Sequence, residues 1–194
     1  MPYNVPNLLT WFRILLIPLV VAVFYVPSGW LSYQDRNVAA SVMFAVAAIT
    51  DWLDGYLARS LNQTSAFGAF LDPVADKLMV AAALTVLVQL GRVDAFIAFV
   101  IIGREITISA LREWMAKLGK SKSVAVSFLG KVKTVSQMVA ILLLLYEDSL
   151  FGVIDGLEIG RFLIYVAAVL TVWSMFYYLR LALPHVRGSD RALP

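Results

Sequence analysis

Along the chain, apolar residues gather into six long runs separated by short polar breaks. The runs extend from about Leu8 to Val26, Val38 to Leu57, Ala69 to Leu90, Val93 to Leu111, Val124 to Tyr146 and Ile159 to Leu183. Each approaches or exceeds the roughly 20 residues an α-helix needs to cross a bilayer. The breaks carry turn chemistry: Pro27-Ser28-Gly29, Asn62-Gln63-Thr64-Ser65, Gly91-Arg92, Leu118-Gly119-Lys120-Ser121 and Asp155-Gly156. No internal repeat is visible and no linker interrupts the pattern. It predicts an all-α integral membrane bundle of six transmembrane helices, one domain over residues 1–194.

Composition agrees. The chain is 61% hydrophobic and 15% charged, with a mean hydropathy of +0.81. Soluble domains are about 45–50% apolar and about 25% charged. The lack of cysteine excludes disulfide and thiolate chemistry. A net charge of +3 is too small to argue for nucleic acid. The first run has neither a basic flank nor a nearby small-residue cleavage site, so it reads as a retained span. With the N-terminus inside, the inner segments hold Arg59, Lys117, Lys120, Lys122, Arg180, Arg187 and Arg191, and the outer ones only Arg36 and Arg92. That bias predicts that both termini are cytoplasmic.

Against this apolar background stand four carboxylates: Asp51, Asp54, Asp72 and Asp76. Each costs roughly 2.5–3.5 kcal/mol at mid-membrane, so four together demand a compensating function. Within each pair the spacing of three or four residues puts both side chains on one helix face. The short connection between the second and third runs predicts antiparallel neighbours. At about 1.5 Å per residue, Asp51 and Asp54 lie roughly 12 and 8 Å below Arg59, and Asp72 and Asp76 roughly 6 and 12 Å below Gly68. All four can meet at one level, toward the cytoplasm. Clustered carboxylates call for a cation, and oxygen-only donors select Mg²⁺, Mn²⁺ or Ca²⁺. Two metals sharing three carboxylates, with a fourth as base, suits phosphoryl displacement. Gly55, Ala58 and Gly68 beside them fit either close helix packing or a slot for a flat ligand.

The full spacing, D-x-x-D-G-x-x-A-R-x8-G-x-x-x-D-x-x-x-D from Asp51 to Asp76, resembles the signature of the CDP-alcohol phosphotransferases. The resemblance extends to Val5-Pro6-Asn7-Leu8-Leu9-Thr10-Trp11-Phe12-Arg13, Phe67 to Lys77, Arg104-Glu105, Ala110 to Trp114 and Gly130 to Thr134. These flanks are similar to the bacterial branch that uses glycerol 3-phosphate as acceptor; the last run carries little of the likeness. The resemblance implies that Asp51, Asp54 and Asp72 bind two Mg²⁺ or Mn²⁺ ions, that Asp76 also touches metal and acts as general base, and that Gly55, Ala58 and Gly68 make room for cytidine. It implies transfer of a phosphatidyl group from CDP-diacylglycerol to glycerol 3-phosphate with release of CMP, by a homodimer in the bacterial cytoplasmic membrane. Arg59 fits either a pyrophosphate ligand or a partner for a motif carboxylate.

An acceptor phosphate calls for Arg or Lys. Arg104 and Arg112 in the fourth run and Lys131 and Lys133 in the fifth supply them at unexpected depth. Lys131 and Lys133 point about 200° apart on a helix, so both cannot face one pocket equally. Arg112 and Lys131 are the preferred ligands. Arg104 is open to pairing with Glu105, Arg112 with Glu113, and Lys133 to snorkelling. Asn7, Thr10 and Arg13 form a further polar cluster, which the resemblance puts near the cavity without assigning roles. Two other readings stay open: a related synthase with inositol phosphate, serine or phosphatidylglycerol as acceptor, and a divalent-cation transporter. The transporter is disfavoured by the missing repeat and the one-sided carboxylates.

Overall fold

The computed structural model describes residues 5–60, 66–117, 128–150 and 154–189. These form α1 (Val5–Ala22), α2 (Tyr33–Ser60), α3 (Ala66–Gln89), α4 (Ala95–Lys117), α5 (Phe128–Tyr146) and α6 (Gly156–Ser189). A 3₁₀ turn, Val23–Tyr25, extends α1. Just before α6, β1 (Ser149–Leu150) pairs antiparallel with β2 (Ile154–Asp155), with Ser149 opposite Asp155.

Local chemistry sets several boundaries. Ser32 and Asp35 cap α2 reciprocally: the Ser32 amide donates to Asp35 at 3.2 Å, and the Asp35 amide to Ser32 Oγ at 3.1 Å. This satisfies orphan donors of the first turn. It also starts the helix at Tyr33, five residues before the apolar run. Asp94 caps α4 through the Phe96 amide at 2.8 Å, and Asp155 caps α6 through the Leu157 amide at 2.9 Å. α3 ends where Gly91 takes a φ of +70°. That left-handed turn lets the Arg92 amide reach back to the Leu87 carbonyl at 2.9 Å.

α5 and α6 form the most extensive helix pair, α2 packs on α5, and α4 packs on both α3 and α6. At Gly160 an added Cβ would come within 2.8 Å of Leu144 Cγ, so the absent side chain is what admits this close approach. The core runs through Leu16, Val20, Phe44, Ala83, Leu84, Ile101, Ile141 and Leu144. Apolar residues also dominate the exposed faces, among them Leu15, Val42, Phe96, Phe99, Phe162, Val169 and Trp173. A surface this apolar suits hydrocarbon rather than water. Leu8–Tyr25, Tyr33–Asp54 and Gly156–Leu181 are long and apolar enough to cross a membrane, and Val132–Tyr146 is a shorter apolar helix. α3 and α4 have similar lengths but carry the site's charges: Asp72, Asp76 and Lys77 on α3, and Arg104, Glu105 and Arg112 on α4.

One expectation of neighbourhood needs refinement. α2 and α3 meet directly over a much smaller patch than either shares with α1. The short connection keeps them close in the chain, but α1 packs against both. Its buried Thr10 and Arg13 face the two aspartate pairs. A cation and a hydroxyl wedged between acidic helices separate charges that would otherwise repel.

At the other end of the bundle, Arg92 is 3% exposed. It donates to the Leu144 and Leu145 carbonyls at 2.7 and 2.9 Å, to Tyr33 Oη and Asn37 Oδ1 at 2.8 Å each, and to Glu147 at 2.6 Å. Asn37 in turn donates to Glu147 at 2.9 Å. The loop residue counted for its charge is therefore a buried tie between α2, α5 and the α3–α4 connection.

Candidate active site

The acidic side is built by three helices. α2 presents Asp51 and Asp54, α3 presents Asp72 and Asp76, and α1 supplies their partners. The two terminal nitrogens of Arg13 donate separately to Asp51 and Asp54. One turn earlier, Thr10 Oγ1 donates to Asp72 at 2.6 Å. Arg13 and Asp54 are buried, and Asp51 is half-buried. Among the described residues no side chain hydrogen-bonds to Asp76. It instead borders the open space beside Asp51.

That space is a cavity of about 280 Å³. Asp51, Asp72, Asp76 and Lys77 line one side, and Arg104, Glu105, Ser109 and Arg112 the other. Asp54, buried and bound to Arg13, does not line it. On the basic wall, Arg104 donates to Ser174 Oγ at 2.9 Å and to Glu105 at 3.3 Å, while Lys133 also donates to Glu105. Tyr178, fully buried on α6, sits between the arginines, its ring centroid 6.0 Å from the Arg104 guanidinium carbon and 5.4 Å from that of Arg112. Such cation–π contacts hold a guanidinium without neutralising it. Among the described residues Arg112 has no carboxylate partner; Glu113 pairs instead with Lys117 at 3.0 Å.

The structure thus brings Asp51, Asp72, Asp76, Arg104 and Arg112 to one cavity. It pairs Arg104 with Glu105, the alternative weighed from the sequence, and turns Lys133 inward to the same glutamate. Lys131 lies on α5, and Gly55, Ala58 and Arg59 on the last turns of α2, but their side chains fall outside those described, as does that of Asn7. Gly68 is buried in the first turn of α3. Glu105 and Tyr178 are the functional candidates that sequence reasoning missed. Glu105 had a signal, an acid beside Arg104 inside an apolar run. Tyr178 had none, since an aromatic in α6 reads as core.

The residues fit a hard divalent cation in donor type, because the four motif side chains offer oxygen alone. Among the described residues, no group of three or more acidic side chains or histidines is gathered tightly enough to hold a metal ion. The guanidinium of Arg13 lies between Asp51 and Asp54 and balances them.

Fold and site together define a class: a helical bundle with apolar outer faces, in which a carboxylate wall and a guanidinium wall face each other across one cavity. The chain belongs to the CDP-alcohol phosphatidyltransferase family, whose sequence profile matches residues 3–173. Members of that family generally depend on a divalent metal. The chain is 51% identical over 184 residues to the CDP-diacylglycerol–glycerol-3-phosphate 3-phosphatidyltransferase of Escherichia coli K12, covering 94% of this chain and 96% of the relative. Proteins of the same name from Shigella sonnei and Shigella flexneri serotype 5b match with the same identity and coverage. The resemblance carried by Asp51 to Asp76 is therefore membership.

Proposed function

We propose that this chain transfers the phosphatidyl group of CDP-diacylglycerol to glycerol 3-phosphate, giving phosphatidylglycerophosphate and CMP. The observation that carries the reading is the single cavity shared by Asp51, Asp72 and Asp76 with Arg104 and Arg112. It sets a metal-type donor set opposite cations suited to a second phosphate. The names of relatives 51% identical along nearly the whole chain support the same donor and acceptor.

In this reading all six helices cross the bacterial cytoplasmic membrane, both termini and the cavity mouth face the cytoplasm, and the protein is a homodimer of single-domain subunits. Asp51, Asp54, Asp72 and Asp76 would hold two Mg²⁺ or Mn²⁺ ions. Bound there, such ions would neutralise the pyrophosphate and stabilise the departing CMP oxygen. Gly55, Ala58 and Gly68 leave space for the cytidine, and Arg59 stands near the pyrophosphate. Asp76 takes the proton from the C1 hydroxyl of glycerol 3-phosphate. The freed oxygen attacks the phosphorus bearing diacylglycerol. The bond from that phosphorus to CMP breaks, and CMP leaves with its electron pair.

Arg112 is the principal acceptor-phosphate ligand, because it borders the cavity with no carboxylate partner among the described residues. Arg104 and Lys133 hold Glu105 in place and strengthen the positive field, and Lys131 stands on the same helix as Lys133. Arg112→Gln is expected to raise KM for glycerol 3-phosphate by about 10- to 100-fold, as for a lost charge-assisted hydrogen bond, with KM for CDP-diacylglycerol nearly unchanged. Steady-state kinetics with each substrate varied in turn would check it; two unchanged KM values would remove Arg112 from the site.

The reading is tested by purified protein in mixed micelles with CDP-diacylglycerol, Mn²⁺ or Mg²⁺ and single acceptors. Metal-dependent CMP release with glycerol 3-phosphate is the expected result. Release with inositol phosphate or serine alone would reassign the acceptor, and Mn²⁺ flux into liposomes without CMP release would point to transport.

A further inference from the structure

Arg13 engages two carboxylates through two different nitrogens. It is 1% exposed and projects from α1, with one terminal nitrogen on Asp51 and the other on Asp54. Its third nitrogen, Nε, is buried and has no hydrogen-bond partner. A void of about 10 Å³ borders Arg13, Asp51 and Asp76. Thr10, on the same face of α1, holds Asp72. α1 therefore grips three of the aspartates assigned to metal and leaves Asp76 alone.

We infer that Arg13 is a built-in counter-ion, which occupies the cation's place between Asp51 and Asp54 in the metal-free protein and is exchanged for the divalent ion when metal binds. The inference rests on the reading of Asp51, Asp54 and Asp72 as metal ligands. A divalent ion held by the same oxygens would take up the region the guanidinium fills. The two cations also repel each other at such close separation. Metal entry thus requires Arg13 to release its carboxylates and shift. Without Arg13, the metal-free protein would hold neighbouring carboxylates uncompensated in an apolar bundle, a costly state. Arg13 then has two opposed effects: it stabilises the empty site and weakens metal binding.

The test measures Mn²⁺ affinity and thermal stability of the purified full chain in detergent, without substrate. Wild type is compared with Arg13→Gln and Arg13→Lys. Arg13→Gln is expected to bind Mn²⁺ roughly 10- to 100-fold more tightly, because no charge-assisted hydrogen bonds need to be broken. It should melt at lower temperature in EDTA, with a wider gap between the EDTA and Mn²⁺ melting points. Arg13→Lys keeps the charge but lacks the fork that spans two carboxylates, so it should tighten binding less. Should Arg13→Gln fold only with Mn²⁺ present, that supports the exchange; should it not fold at all, the Lys variant decides. Unchanged or weaker Mn²⁺ binding in the variants that fold overturns the inference. Absence of Mn²⁺ binding by wild type, or binding that survives Asp51→Asn with Asp72→Asn, overturns the metal assignment beneath it instead.

Discussion

Asp76→Asn is expected to lower CMP release by about 10²- to 10⁴-fold, the usual contribution of a positioned general base, while CDP-diacylglycerol still binds. Asn preserves the volume and polarity of the side chain and removes its capacity to take a proton. The prediction is specific to Asp76 because the other three aspartates are held from α1: Asp51 and Asp54 by Arg13, and Asp72 by Thr10. Asp76 borders the cavity with no hydrogen-bonded side chain on it among the described residues, and it faces the wall that carries Arg112. Single-turnover release of CMP and equilibrium binding of CDP-diacylglycerol separate the two effects. Retention of near-wild-type turnover would end the base assignment. Loss of donor binding in step with turnover would move Asp76 into the metal set alone.

Arg92→Leu should cost about 3 kcal/mol of stability, the low end of the range for breaking a buried ion pair on one side only, because Glu147 is 30% exposed and keeps part of its hydration. The substitution strands Glu147 and leaves the last carbonyls of α5 without their donor, although Leu fills much of the same volume. Asn37 alone would then face Glu147, at 2.9 Å. A denaturation midpoint in mild detergent reads the loss directly. Activity per folded molecule should stay near that of wild type, since Arg92 lies at the opposite end of the bundle from the aspartates. A midpoint shifted by less than about 0.5 kcal/mol, the ordinary effect of a surface substitution, would show that the knot does not carry stability.

Much of this architecture was legible in the chain because helices long enough for a membrane announce themselves by apolar length. A helix overlaps each of the six runs, and among the described residues three helices are long and apolar enough to cross a membrane. The ends do not, since ends follow hydrogen bonds: α2 begins early on its Ser32–Asp35 cap, and α6 continues to Ser189, past the apolar limit at Leu183. The aspartate pairs were legible because three- and four-residue spacings fix a helix face. Their partners were not. Arg13 and Thr10 read as a polar cluster near the cavity without roles, because the carboxylate that Arg13 holds, Asp51, is 38 residues further along. Connection length shows which helices are joined, not which third helix packs against both. Lys131 and Lys133 show a second limit. A two-residue offset establishes that they diverge, not which one turns inward, and the structure turns Lys133 toward Glu105.

The order of helices in the chain gives the grip of α1 a consequence for biosynthesis. α1 precedes α2 and α3, so it leaves the ribosome before them. Arg13 and Thr10 are therefore synthesised before the carboxylates that they hold, Asp51, Asp54 and Asp72. An acidic helix entering alone bears the full insertion penalty of each carboxylate. One that folds against Arg13 does not. The first helix thus carries polar partners for the two that follow it, and sequence order supplies those partners before the acidic helices need them.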